Sequence, residues 1–181
     1  VKALDASIKK SEVFHAVKAG FEAYENYKQN LRKQGEAAAL FAKESGKRVM
    51  ILAGRPYHAD PEISHGIDKL ANSLGFVVVS EDSVCHMAPI EYVHVLDQWT
   101  FHARLYRSAA YAAMHKNTEL VQLVSFGCGI DAITTDEMRS LLEEREKHYT
   151  QVKIDEITNL GAVKIRLRSL LGALEETESG N

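Results

Sequence analysis

Two cysteines and three prolines among 181 residues are few enough to exclude whole classes of protein. Cys85 and Cys128 lie too far apart to staple a small disulfide scaffold, and the scarcity of proline removes collagen-like and polyproline chains. No apolar run approaches the roughly 18 to 20 residues of a membrane span, so no membrane is expected. Charge of one sign is also lacking. A formal net charge of −3 is not the basic balance that binding to a phosphate backbone uses, and nucleic acid is not expected as a partner. There is no initiating Met and no signal-peptide pattern, because Val1-Lys2-Ala3-Leu4 leads straight into an amphipathic stretch. That start reads as a cut inside a longer protein of a reducing, cytoplasmic compartment. What remains, 45% hydrophobic and 26% charged residues, suits one folded domain with a helical appendage.

The chain divides into three parts. Residues 1–46 form a helical arm, in which Phe14, Val17, Phe21, Tyr24 and Leu31 recur at helical spacing. Lys28 interrupts this seam, and Gly35 is placed to split the stretch into two helices. The arm is expected to pack on the body through Phe14, Phe21 and Tyr24, with a coiled-coil partner as the second reading. Residues 47–174 form an α/β domain with four β-rich runs: Arg48 to Leu52, Phe76 to Ser80, Leu120 to Ser125 and Tyr149 to Ile154. Helical patterns separate them, which predicts right-handed crossovers and a parallel sheet. The implied fold is a Rossmann-like or flavodoxin-like four-stranded sheet flanked by helices, in strand order 2-1-3-4.

The helix signals are local. Asp60-Pro61-Glu62 offers an N-cap and a proline at the first helical position, followed by Ile63, Ile67, Leu70 and Leu74 on one face. A long helix is expected from about Ile90 to His115. Thr134-Thr135-Asp136-Glu137 reads as a capping box that opens the next helix, and Val163, Leu167, Leu170 and Leu174 form the stripe of the last. Residues 175–181 are a polar tail expected to fray.

In an open parallel sheet, ligands bind beyond the carboxyl ends of the strands. Those ends read Gly54-Arg55-Pro56-Tyr57-His58, Glu81-Asp82-Ser83-Val84-Cys85-His86, Phe126-Gly127-Cys128-Gly129-Ile130-Asp131 and Asp155-Glu156-Ile157-Thr158-Asn159. Both cysteines fall on this edge. Cys128, between two glycines after a buried strand, suits a metal-cluster thiolate or a reactive thiol, and equally a small buried hydrophobe. Cys85 is a second, weaker metal candidate. Arg55, Tyr57, His58, Gly127, Gly129 and Asp131 are candidate ligand-binding residues, with Arg55 and His58 suited to an anionic group. His65 and His102 are read as core or rim histidines. Gly127-x-Gly129-x-x-Ala132 also matches the shorter form of the dinucleotide fingerprint. Two features oppose nicotinamide binding: the capping box delays the helix to about Thr135, and Asp131 adds negative charge where phosphates would lie.

Three segments, Ile51-Leu52-Ala53-Gly54-Arg55-Pro56-Tyr57-His58-Ala59-Asp60-Pro61-Glu62, Val124-Ser125-Phe126-Gly127-Cys128-Gly129-Ile130-Asp131 and Lys153-Ile154-Asp155-Glu156, resemble the acyl-CoA dehydratase activase-related proteins, or CoA-substrate-specific enzyme activases. The similarity runs from about Arg48 to Leu174. Proteins of that family join ATPase domains to a region similar to the iron–sulfur component of 2-hydroxyacyl-CoA dehydratases, and this chain resembles the latter region. The resemblance implies a [4Fe-4S] cluster in the full-length protein, held between domains, with Cys128 matching a ligand position and Cys85 matching less clearly. It implies low-potential electron transfer, with other domains of the parent chain and an acyl-CoA dehydratase component as partners. The isolated domain is expected to be inactive, and ATP hydrolysis is not carried over to it. A non-catalytic docking domain and a small-molecule or nucleotide-binding domain at the same edge are the competing readings.

Overall fold

The computed structural model describes residue 5 and residues 7–89, 93–125, 129–154 and 160–179. The first element, α1 (Lys10–Glu44), is a single helix of 35 residues. At its start the Glu12 carboxylate accepts the Lys9 backbone N–H at 2.7 Å. It ends where Gly46 turns to φ 64° and the Lys47 N–H reaches back to the Ala42 carbonyl.

Four strands follow: β1 (Val49–Ala53), β2 (Val77–Ser80), β3 (Thr118–Val124) and β4 (Thr150–Lys153). They pair in the order β2-β1-β3-β4, and every pairing is parallel. This is the predicted order, with ends within two residues of the sequence reading. Between the strands lie α2 (Pro61–Ser64), α3 (Ile67–Ser73), α4 (Glu81–Val84), α5 (Thr100–Met114) and α6 (Gly129–Glu143), and α7 (Gly161–Ser179) follows β4.

Alternation along β1 sends neighbouring side chains into two different cores. Ile51 packs with Leu120 from β3, Leu105 and Ala109 from α5, and Met138 and Leu142 from α6. Met50 packs with Val121 from β3, Ile67 and Ala71 from α3, and Leu167 and Leu170 from α7. Helices thus cover both faces, and β3 is buried along all seven of its residues.

Six local readings are corrected. Gly35 does not split α1. It is buried where α1 crosses α4, and a Cβ there would fall on the Ser83 carbonyl oxygen and lie 2.8 Å from the carbonyl carbon. The arm meets the body through Gly35, Ala38 and Ala42 instead of the expected rings: Phe14, Phe21 and Tyr24 are 67%, 71% and 57% exposed. The reason is length. A 35-residue helix spans about 52 Å, whereas strands of four to seven residues make a sheet roughly 13 to 23 Å long.

The second helical pattern is broken into α2 and α3 at His65 and Gly66, whose φ angles are 51° and 78°. The helix expected from Ile90 begins only at Thr100, because the His94 backbone N–H is given to the buried Glu137 carboxylate at 2.9 Å instead of to a helical carbonyl. The same contact dissolves the expected capping box. Glu137 is occupied, Thr134 donates to the Ile130 carbonyl one turn back, and α6 opens six residues earlier at Gly129. Residues 175–179 of the polar tail continue α7.

Candidate functional site

From β1 the chain leaves through α2 and α3 toward β2, and from β3 it leaves through α6 toward β4 on the other side. The crevice beyond the carboxyl ends of β1 and β3 is therefore the switch point of the sheet, where such folds bind ligands. Arg55, Tyr57, His58 and Asp131 converge on it.

A tight 3₁₀ turn over Pro56–Ala59 folds the His58 ring back against its own loop. The His58 N–H donates to the Arg55 carbonyl at 2.8 Å, and the Arg55 N–H donates to His58 Nδ1 at 3.0 Å. Gly54 makes this possible, since a Cβ there would enter the imidazole, 3.1 Å from its Cγ. With Nδ1 accepting, the ring proton sits on Nε2, which donates to Ser125 Oγ at 3.1 Å. Tyr57 closes the chain through its hydroxyl, 3.0 Å from the same Oγ. Burial holds the His58 pKa below its ordinary value, with Arg55 adding to the effect and Asp131 opposing it. A neutral imidazole whose Nε2 already carries hydrogen cannot take the proton from Ser125. The Ser125–His58 pair thus joins β3 to the β1 loop and does not prepare a nucleophile.

Beside it, Arg55 Nη2 pairs with Asp131 Oδ1 at 2.6 Å, joining the β1 loop to the first turn of α6 across the crevice. An aspartate in that turn also favours the positive end of the helix dipole. The second Asp131 oxygen is buried and has no hydrogen-bond partner among the described residues. His102 on α5 feels both charges: burial lowers its pKa, Arg55 lowers it further and Asp131 raises it. Its ring lies 5.2 Å from that of Trp99.

Two cavities flank this arrangement. One of about 160 Å³ is lined by Leu52, Val78 and Leu123 together with Arg55, His58 and Glu81, and the other, of about 390 Å³, is lined by Trp99, His102, Tyr106, Ile130 and Ile133. Two largely apolar compartments, the smaller one edged by Arg55, suit a ligand with an apolar part and an anionic group.

The end of β2 is a separate cluster. Arg104 from α5 reaches Glu81 at 3.2 Å and Asp82 at 3.7 Å. Burial, reinforced by Asp82 and only partly offset by Arg104, pushes the Glu81 carboxyl up to about 7. Cys85 is buried beside it, 3.8 Å from the Asp82 carbonyl, and burial raises its pKa. As placed, it is a protonated thiol. The described residues contain no group of three or more His, Cys, Asp or Glu side chains that could hold a metal ion. They therefore do not make up the donor set of a [4Fe-4S] cluster.

The structure thus brings Arg55, Tyr57, His58 and Asp131 together, starts α6 at Gly129 and sets Cys85 apart. Gly127 and Cys128 lie outside the described residues, as do residues 155–159 of the last strand end. One objection to the dinucleotide fingerprint falls, because α6 does begin within the glycine run. The other gains weight, since Asp131 already engages the arginine a phosphate would use. Ser125, Glu81 and Arg104 were not read as site residues. For Arg104 the available signal is its position between Ala103 and Leu105, both buried.

Residues 1–84 match the family model described as CoA enzyme activase uncharacterised domain (DUF2229). The first part of the chain is thus similar to the CoA enzyme activases. The matched stretch runs from α1 to α4, so it contains the Gly54 to His58 loop and the whole arm. No curated protein and no solved structure matches the chain. No helix among the described residues is long and apolar enough to cross a membrane.

Proposed function

We propose that the chain is a ligand-binding α/β domain of an activase-like protein and that its working surface is the β1/β3 crevice. The observation that carries this reading is the Arg55–Asp131 bridge, which spans the switch point beside two cavities. The family match over residues 1–84 supports the activase half of the proposal. In the parent protein, Cys128 contributes one thiolate to a [4Fe-4S] cluster whose other ligands come from other domains, and the partner is an acyl-CoA dehydratase component. The cluster would supply low-potential electron transfer toward an acyl-CoA-type substrate. This chain's share is to hold the ligand by Arg55 and to keep the crevice in shape through Tyr57, His58 and Ser125.

Anaerobic reconstitution of the parent protein with iron and sulfide, followed by visible and paramagnetic resonance spectra, tests the cluster. Cys128→Ala should abolish or alter the spectrum, while Cys85→Ala should leave it. Unchanged iron content and electron transfer in Cys128→Ala would remove the cluster from this domain. The competing reading, a docking domain, is favoured by the uncovered rings on α1.

A further inference from the structure

The face of α1 that seats on the body does not end where the body ends. Gly35, Ala38 and Ala42 touch the domain, and Lys28 and Leu31 are half-buried at its rim. The same alternating three- and four-residue spacing continues outward through Tyr24, Phe21, Val17 and Phe14, all exposed. That spacing is the seam of a coiled coil. Gly20 adds a second observation. Glycine inside a helix costs about 1 kcal/mol against alanine, and a Cβ at Gly20 would meet nothing within 4 Å. The isolated arm gives no reason for a glycine there.

We propose that α1 pairs with α1 of a second copy of this chain, antiparallel and centred between residues 22 and 23. Reversing one helix sets Phe21 against the partner's Tyr24, Phe14 against the partner's Leu31 and Val17 against the partner's Lys28. On one flank Lys18 meets the partner's Glu25, and on the other Gly20 lies opposite the partner's Tyr27, where only a residue without a side chain leaves room for the ring. Two-fold symmetry makes each of these contacts twice. Lys18 and Glu25 are exposed and now pair only within their own helix, with Glu22 at 3.8 Å and Lys28 at 2.6 Å, so both are available at the flank. A lysine in the seam fixes one register among those the aromatic residues alone would allow.

In this register the bodies sit at opposite ends of the pair, and residues 10–13 of each helix run alongside residues 32–35 of the other, at the edge of its body. Phe14, Phe21 and Tyr24 are each more than half exposed. Covering these rings and Val17 on both copies removes on the order of 1,000 Å² from water, about the lower bound for a specific interface. The dimer should therefore depend on concentration. It requires nothing of the crevice and stands independently of the ligand-binding proposal.

Sedimentation velocity on the full chain tests it. The mass should double as concentration rises, and Phe21→Glu should leave a folded monomer at every concentration. Lys18→Glu and Glu25→Lys should each weaken association about tenfold, because two attractive contacts become repulsive, and the double swap should restore it. A parallel pair would not respond in this way. Gly20→Leu should raise the helical circular-dichroism signal of the dilute chain yet weaken the dimer, which a purely local role for Gly20 would not produce. A wild-type chain that stays monomeric overturns the proposal, as does a dimer indifferent to Phe21→Glu or a charge swap that fails to restore association. Protection of α1 amides only on adding other domains of the parent in trans would assign the seam to another segment and overturn it as well.

Discussion

An arginine reaches a carboxylate at each end of the sheet, and the two pairs are built differently. At the amino end Glu119 is 1% exposed and flanked by two cations, Arg48 at 3.0 Å and Lys147 at 3.4 Å. Lys147 also donates to the carbonyls of Lys116 and Thr118, so the start of β1, the start of β3 and the turn before β4 are tied into one knot. At the carboxyl end Arg55 and Asp131 keep 27% and 14% of their side chains exposed and stand beside two cavities. One oxygen of each carboxylate lacks a hydrogen-bond partner among the described residues, but at Glu119 two positive charges compensate for it. The amino-end cluster spends its charges on the fold, whereas the carboxyl-end pair is near enough to solvent to exchange one partner for another.

The largest effect should come from breaking the amino-end knot. Glu119→Ala leaves two partly buried cations without their carboxylate and should cost about 3 to 5 kcal/mol in urea unfolding; a loss below about 1 kcal/mol would erase the contrast. Next is Glu81, raised from an ordinary 4.5 to about 7. Its folded form holds the proton more tightly than the unfolded chain does, so the contribution is full below pH 4.5 and is lost as pH rises to about 7. About 3 kcal/mol should disappear over that window, and stability curves of Glu81→Gln should lack the slope. Gly35→Ala should cost about 2 kcal/mol by forcing α1 off the Ser83 carbonyl, with faster amide exchange in residues 31–44. Asp131→Asn should change stability least, by under about 1 kcal/mol, while weakening ligand binding in the crevice; if it destabilises as much as Glu119→Ala, the two ends are alike.

The sheet was legible in the sequence because its signals are local and repeated. Four β-rich runs separated by helical patterns admit few parallel topologies, and the observed order is one of them. The loop from Gly54 to His58 could be read from its position after a strand. What escaped was fixed at a distance. Glu137 looked like half of a capping box until His94, 43 residues away, took its carboxylate. Arg104 takes its role only from Glu81 and Asp82 on another element. The rings of α1 follow a valid periodicity, but periodicity identifies a face without saying what covers it.

The parallel pairing of β1 with β3 carries a temporal consequence. Val49 is held against Thr118, far along the chain, so on the ribosome the central strand has only one possible neighbour until β3 has emerged from the exit tunnel. Helix α1 needs only its own residues and can wind within about a microsecond of release. A nascent chain therefore carries a finished helix with an uncovered aromatic seam well before it has a sheet for that helix to rest on.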